Sequence, residues 1–145
     1  PMLPETISNE LCSLRPNEDK YTFSVLFEMN TKGEVKKYWI GKTVTHSNKR
    51  FTYEQVQEII EGADGEYKEE VLLLNSLSQK LRKQRFEKGA INFSSREVRF
   101  TLDDKGKPIG IVIKESKEAH QLIEELMLLA NKTVSEYVGG IQVNN

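Results

Sequence analysis

The residues that could act as nucleophiles in this chain are few and widely separated. There is one cysteine, Cys12, and two histidines, His46 and His120, and no pattern pairs them. The sequence contains no G-x-S-x-G elbow, no P-loop, and no G-x-G-x-x-G turn after a strand. Neither nucleophilic catalysis nor phosphate binding by a glycine-rich loop is therefore predicted.

Two pairs of carboxylates are the next residues that could carry chemistry. Asp103-Asp104 could bind a metal ion, but Asp is also a common former of the hairpin turn expected there. Glu124-Glu125 are neighbours on a predicted helix and point about 100° apart, so they cannot chelate one ion without ligands from elsewhere. We therefore expect no metal site built from this segment alone.

One edge of the last predicted helix carries several polar groups in a row. His120, Glu124, Met127 and Asn131 recur at i, i+4, i+7 and i+11, between the apolar face and the polar face. A binding site could be lined from this stripe. The alternative is that these are ordinary polar positions at the boundary of a core, with His120 hydrogen-bonded within it.

Aromatic rings close to positive charge suggest stacking on nucleic-acid bases. Tyr53 follows Lys49 and Arg50, and Phe93 precedes Arg96. The alternative for both rings is ordinary core packing. The end of the second predicted helix is strongly basic, which favours either phosphate binding or stabilisation of the helix dipole. Its basic residues are Lys80, Arg82, Lys83, Arg85 and Lys88.

Composition indicates one domain-sized unit without a bulk attraction to polyanions. The chain has 145 residues and a formal net charge of −1, so any nucleic-acid site must be a local patch. The lone Cys12 excludes an intramolecular disulfide and predicts a reducing, cytoplasmic location. No apolar run is long enough to span a membrane. The first residue is Pro1 rather than Met, and we expect the chain to be a segment of a longer protein.

Hydrophobic periodicity predicts an α+β fold with two antiparallel β-hairpins, one short helix and two long helices. Thr52 and Gln55 form a capping box for the short helix, Ser116 is placed as the N-cap of the last helix, and Gly139-Gly140 is placed at its end. The predicted strands are Tyr21–Met29, Glu34–Thr45, Glu97–Leu102 and Ile109–Ile113, and the predicted helices are 52–62, Tyr67–Phe86 and Ser116–Tyr137.

The same periodicity predicts which faces are buried. In the first strand, Tyr21 and Phe23 share a face with Val25, Phe27 and Met29. The buried stripe of the second helix is predicted to be Val71, Leu74, Leu77 and Leu81. For the last helix, the buried face is predicted as Ala119, Ile123, Leu126, Ala130, Val134 and Tyr137, and the exposed face as Gln121, Glu125, Lys132 and Glu136.

Three stretches together resemble the RNB catalytic domain of the ribonuclease R and ribonuclease II exoribonucleases. They are PMLPETISNELCSLRPNEDK, KLRKQRFEKGAINF and AHQLIEELMLLAN, in the family's order and spacing over residues 1 to about 138. The resemblance implies a bacterial ribonuclease R-like parent that hydrolyses single-stranded RNA from its 3′ end to nucleoside monophosphates with Mg²⁺. In that family the metal-binding aspartates lie upstream of P-M-L-P and a transition-state arginine lies downstream of the last helix. Residues 1–145 then correspond to the middle of the catalytic domain, with neither catalytic residues nor metal ligands, so the isolated segment is expected to be inactive.

The resemblance also implies roles for individual residues in binding RNA. Phe93 of A-I-N-F matches a ring that stacks on the terminal base, and Tyr53 matches an aromatic that helps to discriminate RNA from DNA. Glu124 matches a carboxylate near the sugar of the 3′ nucleotide, where an acceptor can bind a 2′-hydroxyl. His120 and Asn131 are placed in the same channel wall.

A different class of function remains open from the residues. The chain could be a non-enzymatic α+β module that binds RNA or protein through the basic half of helix 67–86. Such a module would bind single-stranded RNA with a steep dependence on salt and without hydrolysis. The oligomeric state is not predicted.

Overall fold

A computed structural model describes residues 2–91, 97–102, 106–114 and 117–140. It divides into two compact units, Pro1–Gln55 with Leu128–Asn145, and Val56–Met127. The strands are β1 (Asp19–Met29), β2 (Val35–His46), β3 (Glu97–Leu102) and β4 (Pro108–Lys114). The helices are α1 (Tyr53–Ile60), α2 (Lys68–Glu87) and α3 (Glu118–Gly140), and a short π-helical turn at Ile7–Leu11 precedes β1. The predicted α+β class, with two hairpins and one short and two long helices, is confirmed.

The first unit is built around the β1–β2 hairpin. The strands pair antiparallel from Asp19 opposite His46 to Met29 opposite Val35, with a register shift at Glu28 and Met29. The turn is held by the side chain of Asn30, whose Oδ1 accepts hydrogen bonds from the backbone N–H groups of Lys32 and Glu34, each at 3.0 Å. Gly33 takes a φ of 83°, which a side chain would oppose.

The two faces of this hairpin differ from the prediction at its outer end. Tyr21 is 94% exposed and Phe23 is 68% exposed, whereas Val25, Phe27 and Met29 of the same alternating set are half-buried. Alternation therefore identified the strand and the face, because the period of two belongs to the strand itself. Alternation does not predict how many residues of that face are buried by the rest of the unit.

The opposite face of the hairpin carries a cluster of hydroxyl groups. Thr22 Oγ1 lies 2.7 Å from Thr43 Oγ1 and 2.6 Å from Thr45 Oγ1, and Ser24 Oγ lies 2.6 Å from Thr43 Oγ1. We call Thr22, Ser24, Thr43 and Thr45 the hydroxyl cluster. Such cross-strand pairs of hydroxyls stabilise adjacent strands in the same way as apolar pairs.

Helix starts and stops follow local chemistry where they are described. Gln55 Oε1 accepts from the Thr52 N–H at 2.9 Å and Thr52 Oγ1 accepts from the Gln55 N–H at 3.2 Å, which confirms the capping box. Helix α2 ends before Gly89, whose φ is 94°. Helix α3 ends at Gly140, the second residue of the predicted Gly139-Gly140 stop, but neither glycine takes the left-handed φ expected there. Ser116, the predicted N-cap, and Asp103-Asp104 lie outside the described residues.

The core among the described residues lies in the second unit. Its buried apolar side chains are Ile59, Val71, Ala119 and Leu122, and two polar residues, Ser78 and Glu125, are buried with them.

Two predicted helix faces are thereby corrected. On α3 the buried stripe runs through Ala119, Leu122 and Glu125, whereas Ile123 is exposed, and so is Tyr137 in the other unit. Glu125 was predicted to be exposed and is only 3% exposed. On α2, Ser78 is fully buried and Leu74 is exposed. The burial of Glu125 has a specific cause, which is the pairing of its carboxylate with Arg85 of α2.

Candidate nucleic-acid interface

Helices α2 and α3 are joined by long polar side chains rather than by apolar ones. Asn75 Nδ2 donates to Glu118 Oε2 at 2.8 Å, and Gln79 Nε2 donates to Gln121 Oε1 at 3.4 Å. Farther along, α2 and α3 meet through two arginines and two glutamates. We call these residues the α2–α3 ladder: Asn75, Gln79, Arg82 and Arg85 on α2, with Glu118, Gln121, Glu124 and Glu125 on α3.

The direction of the helices follows from the order of these pairs. Partners on α3 advance with those on α2, from Asn75 with Glu118 to Arg85 with Glu125. The members on α2 are three or four residues apart, and so are Glu118, Gln121 and Glu125 on α3, so each helix presents one stripe to the other, with Glu124 beside it. The two helices therefore run side by side in the same direction. The start of α3 is fixed separately by Gln57 of α1, whose Oε1 accepts a hydrogen bond from the Ala119 N–H at 3.1 Å.

Glu125 is the buried charge at the centre of the ladder. Arg85 donates from Nε to Glu125 Oε2 at 3.1 Å and from a terminal nitrogen to Oε1 at 2.5 Å. Arg82 adds a third bond to Oε1 at 3.3 Å. A planar guanidinium that binds both carboxylate oxygens gives the strongest geometry for such a pair. An unpaired buried carboxylate would be very unfavourable. These three bonds therefore explain how Glu125 can be buried between α3 and α2.

The electrostatics of Arg85 agree with this geometry. The hydrogen bond to Glu125, followed by attraction to that carboxylate and to Glu124, raises the pKa of Arg85 above its already high value, although partial burial opposes the change. The guanidinium groups of Arg82 and Arg85 each also lie 4.9 Å from the centroid of the Phe86 ring. The single Phe86 ring therefore makes an attractive cation–π contact with both arginines.

Glu124 is the member of the ladder that faces solvent. Its side chain is 47% exposed, and its Oε1 lies 3.3 Å from the terminal nitrogen of Arg85 and 3.9 Å from Arg82. A carboxylate has about four acceptor positions, so these contacts leave capacity for another donor. Glu124 is therefore a carboxylate held in one orientation at a surface.

The other residues predicted to bind RNA have different surroundings. Tyr53 is the first residue of α1 and is 41% exposed. Asn131 is exposed on α3, two turns beyond Glu124. His120 is half-buried and both of its ring nitrogens are shielded from solvent, which favours a packing role. Phe93 lies outside the described residues.

The structure brings together only part of the predicted set. His120 and Glu124 lie one helical turn apart in the second unit, whereas Tyr53 and Asn131 belong to the first. The sequence did not predict the pairing of Arg85 with Glu125, because these two residues are 40 positions apart in the chain. The available signal in the sequence was the spacing of Arg82 and Arg85. They are three residues apart and share one face near the end of α2, and the Glu124-Glu125 pair on α3 could bind such a face.

The potential metal ligands of the described residues are scattered. Over the described ranges, with the gaps at 92–96, 103–105 and 115–116, no three His, Cys, Asp or Glu side chains form a group that could hold one. The Glu124-Glu125 pair is engaged by two arginines. These residues do not fit a Mg²⁺ site. None of the described helices combines the length and apolar character that a bilayer crossing requires.

Comparison with known proteins defines the class of protein. The family model for the RNB domain matches residues 1–143. The chain belongs to the RNB family, which confirms the membership expected from its three motifs.

Individual relatives come from more than one branch of that family. The chain is 38% identical to DIS3-like exonuclease 2 of Schizosaccharomyces pombe over 161 aligned positions, which cover 100% of the chain and 17% of the relative. It is 37% identical to ribonuclease R of Aquifex aeolicus over 140 positions, covering 92% of the chain and 20% of the relative. The chain thus spans about a fifth of the length of these relatives.

A solved structure gives the same result for the fold. Ribonuclease R of Mycoplasma genitalium, in complex with ribose-methylated single-stranded RNA, superposes with a TM-score of 0.87 at 30% identity. The match covers 96% of this chain and 22% of the other.

Proposed function

We propose that this chain is the central part of a 3′-to-5′ exoribonuclease domain that hydrolyses single-stranded RNA to nucleoside monophosphates. The observation that carries the proposal is the RNB match over residues 1–143, together with a close structural likeness to a ribonuclease R that was solved with single-stranded RNA. In this proposal the segment forms walls of the RNA channel. We also propose that the parent is a bacterial ribonuclease R-like protein, which the 37% identity to a bacterial ribonuclease R supports.

Glu124 is the residue whose surroundings best suit a role at the RNA sugar. It is a half-exposed carboxylate with one oxygen engaged by Arg85 at 3.3 Å. A 2′-hydroxyl can donate a hydrogen bond to such an acceptor, and deoxyribose cannot. Tyr53 and Phe93 are proposed to stack on bases, with Asn131 and His120 as further parts of the wall.

The metal ion and the location belong to the same proposal. We place Mg²⁺ in the longer parent, on ligands outside this chain, because the described residues do not fit such a site. When bound there, Mg²⁺ would supply an activated water. A cytoplasmic location is supported by Cys12, a free and exposed thiol.

The alternative of a non-enzymatic module that binds through the basic end of α2 is less well supported. Arg82 and Arg85, the two arginines of that stretch, donate their hydrogen bonds to Glu124 and Glu125. Lys83 is 79% exposed and lies 3.9 Å from Glu87. A phosphate would have to compete with these carboxylates for the arginines, which weakens the case for a phosphate-binding helix.

The proposal is tested with the complete product of the gene that encodes this chain. A 3′-labelled single-stranded RNA incubated with Mg²⁺ should lose its label from the 3′ end as a nucleoside monophosphate. Failure to release monophosphates would refute the exoribonuclease. Phe93→Ala should weaken RNA binding by about 1–3 kcal/mol, the range for loss of one stacked base.

Glu124 has its own test with a matched control. Glu124→Gln should reduce the preference for a 3′-terminal ribose over 2′-deoxyribose by about tenfold, as expected for one hydrogen bond to a charged group. Glu136→Gln removes a more exposed carboxylate of the same helix, which lies 3.7 Å from Lys132, and should leave the preference unchanged.

A further inference from the structure

Arg85 connects the exposed glutamate of the proposed RNA wall to the buried one. The same terminal nitrogen lies 3.3 Å from Glu124 Oε1 and 2.5 Å from Glu125 Oε1. Its Nε binds the second oxygen of Glu125 at 3.1 Å. Neighbouring residues on a helix point about 100° apart, so the two carboxylates converge on one cation only because Arg85 lies between them.

We propose that Arg85 is a positioning residue that sets the direction of the Glu124 carboxylate and thereby the preference for ribose at the RNA end. The inference rests on the proposed function, since it assigns Glu124 to the sugar of the 3′ nucleotide. Arg85 itself does not contact RNA in this proposal. It acts through Glu124.

The anchor for this role is the burial of Glu125. Its side chain is 3% exposed and takes up two of the donor directions of Arg85. The guanidinium also lies on the Phe86 ring at 4.9 Å. Because Glu125 and Phe86 both hold this planar guanidinium, it cannot reorient freely. Its remaining contact with Glu124 therefore has a fixed direction.

A fixed direction matters because an exposed glutamate otherwise samples several rotamers. Ordering it when RNA binds would reduce affinity, whereas ordering it beforehand does not. With Oε1 directed at Arg85, the orientation of Oε2 follows from the plane of the carboxylate. A 2′-hydroxyl then meets a preorganised acceptor, and a 2′-deoxy end leaves that acceptor without its donor.

The test removes the guanidinium together with the Glu125 carboxylate, so that Glu125 is not left as an unpaired buried charge, and Arg82 keeps Glu124 at 3.9 Å as its neighbour. Arg85→Met combined with Glu125→Leu replaces the buried pair by apolar side chains of similar size, which proteins often tolerate without loss of stability. The complete gene product is titrated without divalent cations, by fluorescence anisotropy. The two probes are single-stranded RNA oligonucleotides that differ only in ribose or 2′-deoxyribose at the 3′ end. Lys83→Met, which removes an exposed cation of the same helix, is the matched control.

The expected result is a selective loss of discrimination. The double variant should lower the ribose preference by about tenfold, toward the value of Glu124→Gln, while affinity for the 2′-deoxy RNA and the melting temperature stay close to the parent protein. Arg85→Lys should give the same loss, because an ammonium cannot bind both carboxylates in one plane. Lys83→Met should change neither affinity.

Two outcomes would overturn the proposal, and they are distinguishable. If Glu124→Gln loses the ribose preference and both Arg85 variants keep it, Glu124 acts without positioning by Arg85. If Glu124→Gln itself keeps the preference, the role of Glu124 in the proposed function fails, and the role of Arg85 fails with it. If the double variant does not fold, Arg85→Lys decides between these outcomes.

Discussion

The α2–α3 ladder and the β1–β2 hairpin both place polar side chains between neighbouring elements, but the ladder uses charged groups and the hairpin uses neutral ones. The ladder buries a carboxylate at 3% exposure and compensates it with two arginines. The hairpin gathers neutral hydroxyls on one face and leaves Tyr21 and Phe23 exposed on the other. One region thus depends on full charges between helices, and the other on neutral hydrogen bonds between adjacent strands.

This difference predicts where a single substitution should lower stability most. A buried charge that loses its partner retains a large desolvation penalty, whereas a hydroxyl near water that loses a partner can be solvated. Substitutions in the ladder should therefore have larger effects than substitutions in the hairpin.

The largest effect is expected for Arg85→Ala. The substitution removes two of the three hydrogen bonds to Glu125 and leaves Arg82 at 3.3 Å as its remaining arginine. We expect the free energy of unfolding to fall by about 3 kcal/mol, the lower end of the range for breaking a buried pair, because Arg82 remains. Urea denaturation of the chain, followed by circular dichroism, measures it.

The control is Lys83→Ala on the same helix. Lys83 is highly exposed and 3.9 Å from Glu87, so its loss should change stability by less than about 0.5 kcal/mol. Equal effects for Arg85→Ala and Lys83→Ala would contradict the distinction between a buried and an exposed charge.

A smaller effect is expected for Gly41→Ala on β2. A Cβ at this position would overlap the outer atoms of the Trp39 ring, which lies across Gly41. The ring has to leave the sheet, and its lost contact outweighs the higher intrinsic stability of Ala, so we expect a net cost of about 1 kcal/mol. Trp39 is the single tryptophan of the chain, and its fluorescence should shift to longer wavelength.

Gly139→Ala provides the comparison for this substitution. Gly139 is part of α3, and apart from the backbone of its own helix no atom of the described residues lies within 4 Å of its added Cβ. Ala is favoured over Gly in a helix by up to about 1 kcal/mol, so stability should rise or remain unchanged. Unchanged Trp39 emission in Gly41→Ala would show that the ring does not lie on the glycine.

Thr22→Val tests the hydroxyl cluster directly. The Thr22 hydroxyl has three neighbours, at 2.6, 2.7 and 3.2 Å, which is its full capacity of one donor and two acceptors. Valine has nearly the same shape, so the expected loss of about 1 kcal/mol comes from hydrogen bonds alone. Thr45→Val removes only the contact with Thr22 and should cost less. A larger effect for Thr45→Val would mean that the cluster is not centred on Thr22.

Local features of the fold were predictable from sequence because their causes are local. The alternation in Tyr21–Met29, the capping box at Thr52 and Gln55, and the stop at Gly89 each involve residues a few positions apart. Helix α3 ends at the Gly139-Gly140 pair, but without the expected left-handed residue, because glycine permits that conformation and does not require it.

The contents of the ladder were not predictable from the same rules. Periodicity assigned Glu125 to the exposed face because it treats every glutamate as exposed. Its burial depends on Arg85, 40 residues earlier, and on the packing of α2 beside α3. Glu124 was found through the family resemblance, whereas the arginine that holds it was visible only in three dimensions.

The smallest effect concerns pH and the hairpin turn. The hydrogen bond from Lys36, followed by the bond from Asn30, lowers the pKa of Glu34 below its ordinary value of 4.5. A carboxyl whose pKa is lowered on folding contributes stability above pH 4.5, and this contribution disappears as the pH falls through the lowered pKa. The Glu34 side chain is 53% exposed, so the contribution should be small and weakened by salt.

Wild type should therefore be slightly more stable than Glu34→Gln at neutral pH and low salt, and the two should converge in urea denaturation at acidic pH. Arg85 remains protonated at all these pH values, because its pKa is raised, so the guanidinium side of the ladder should add no such step. A stability difference between wild type and Glu34→Gln that grows as the pH falls would contradict this account of the turn.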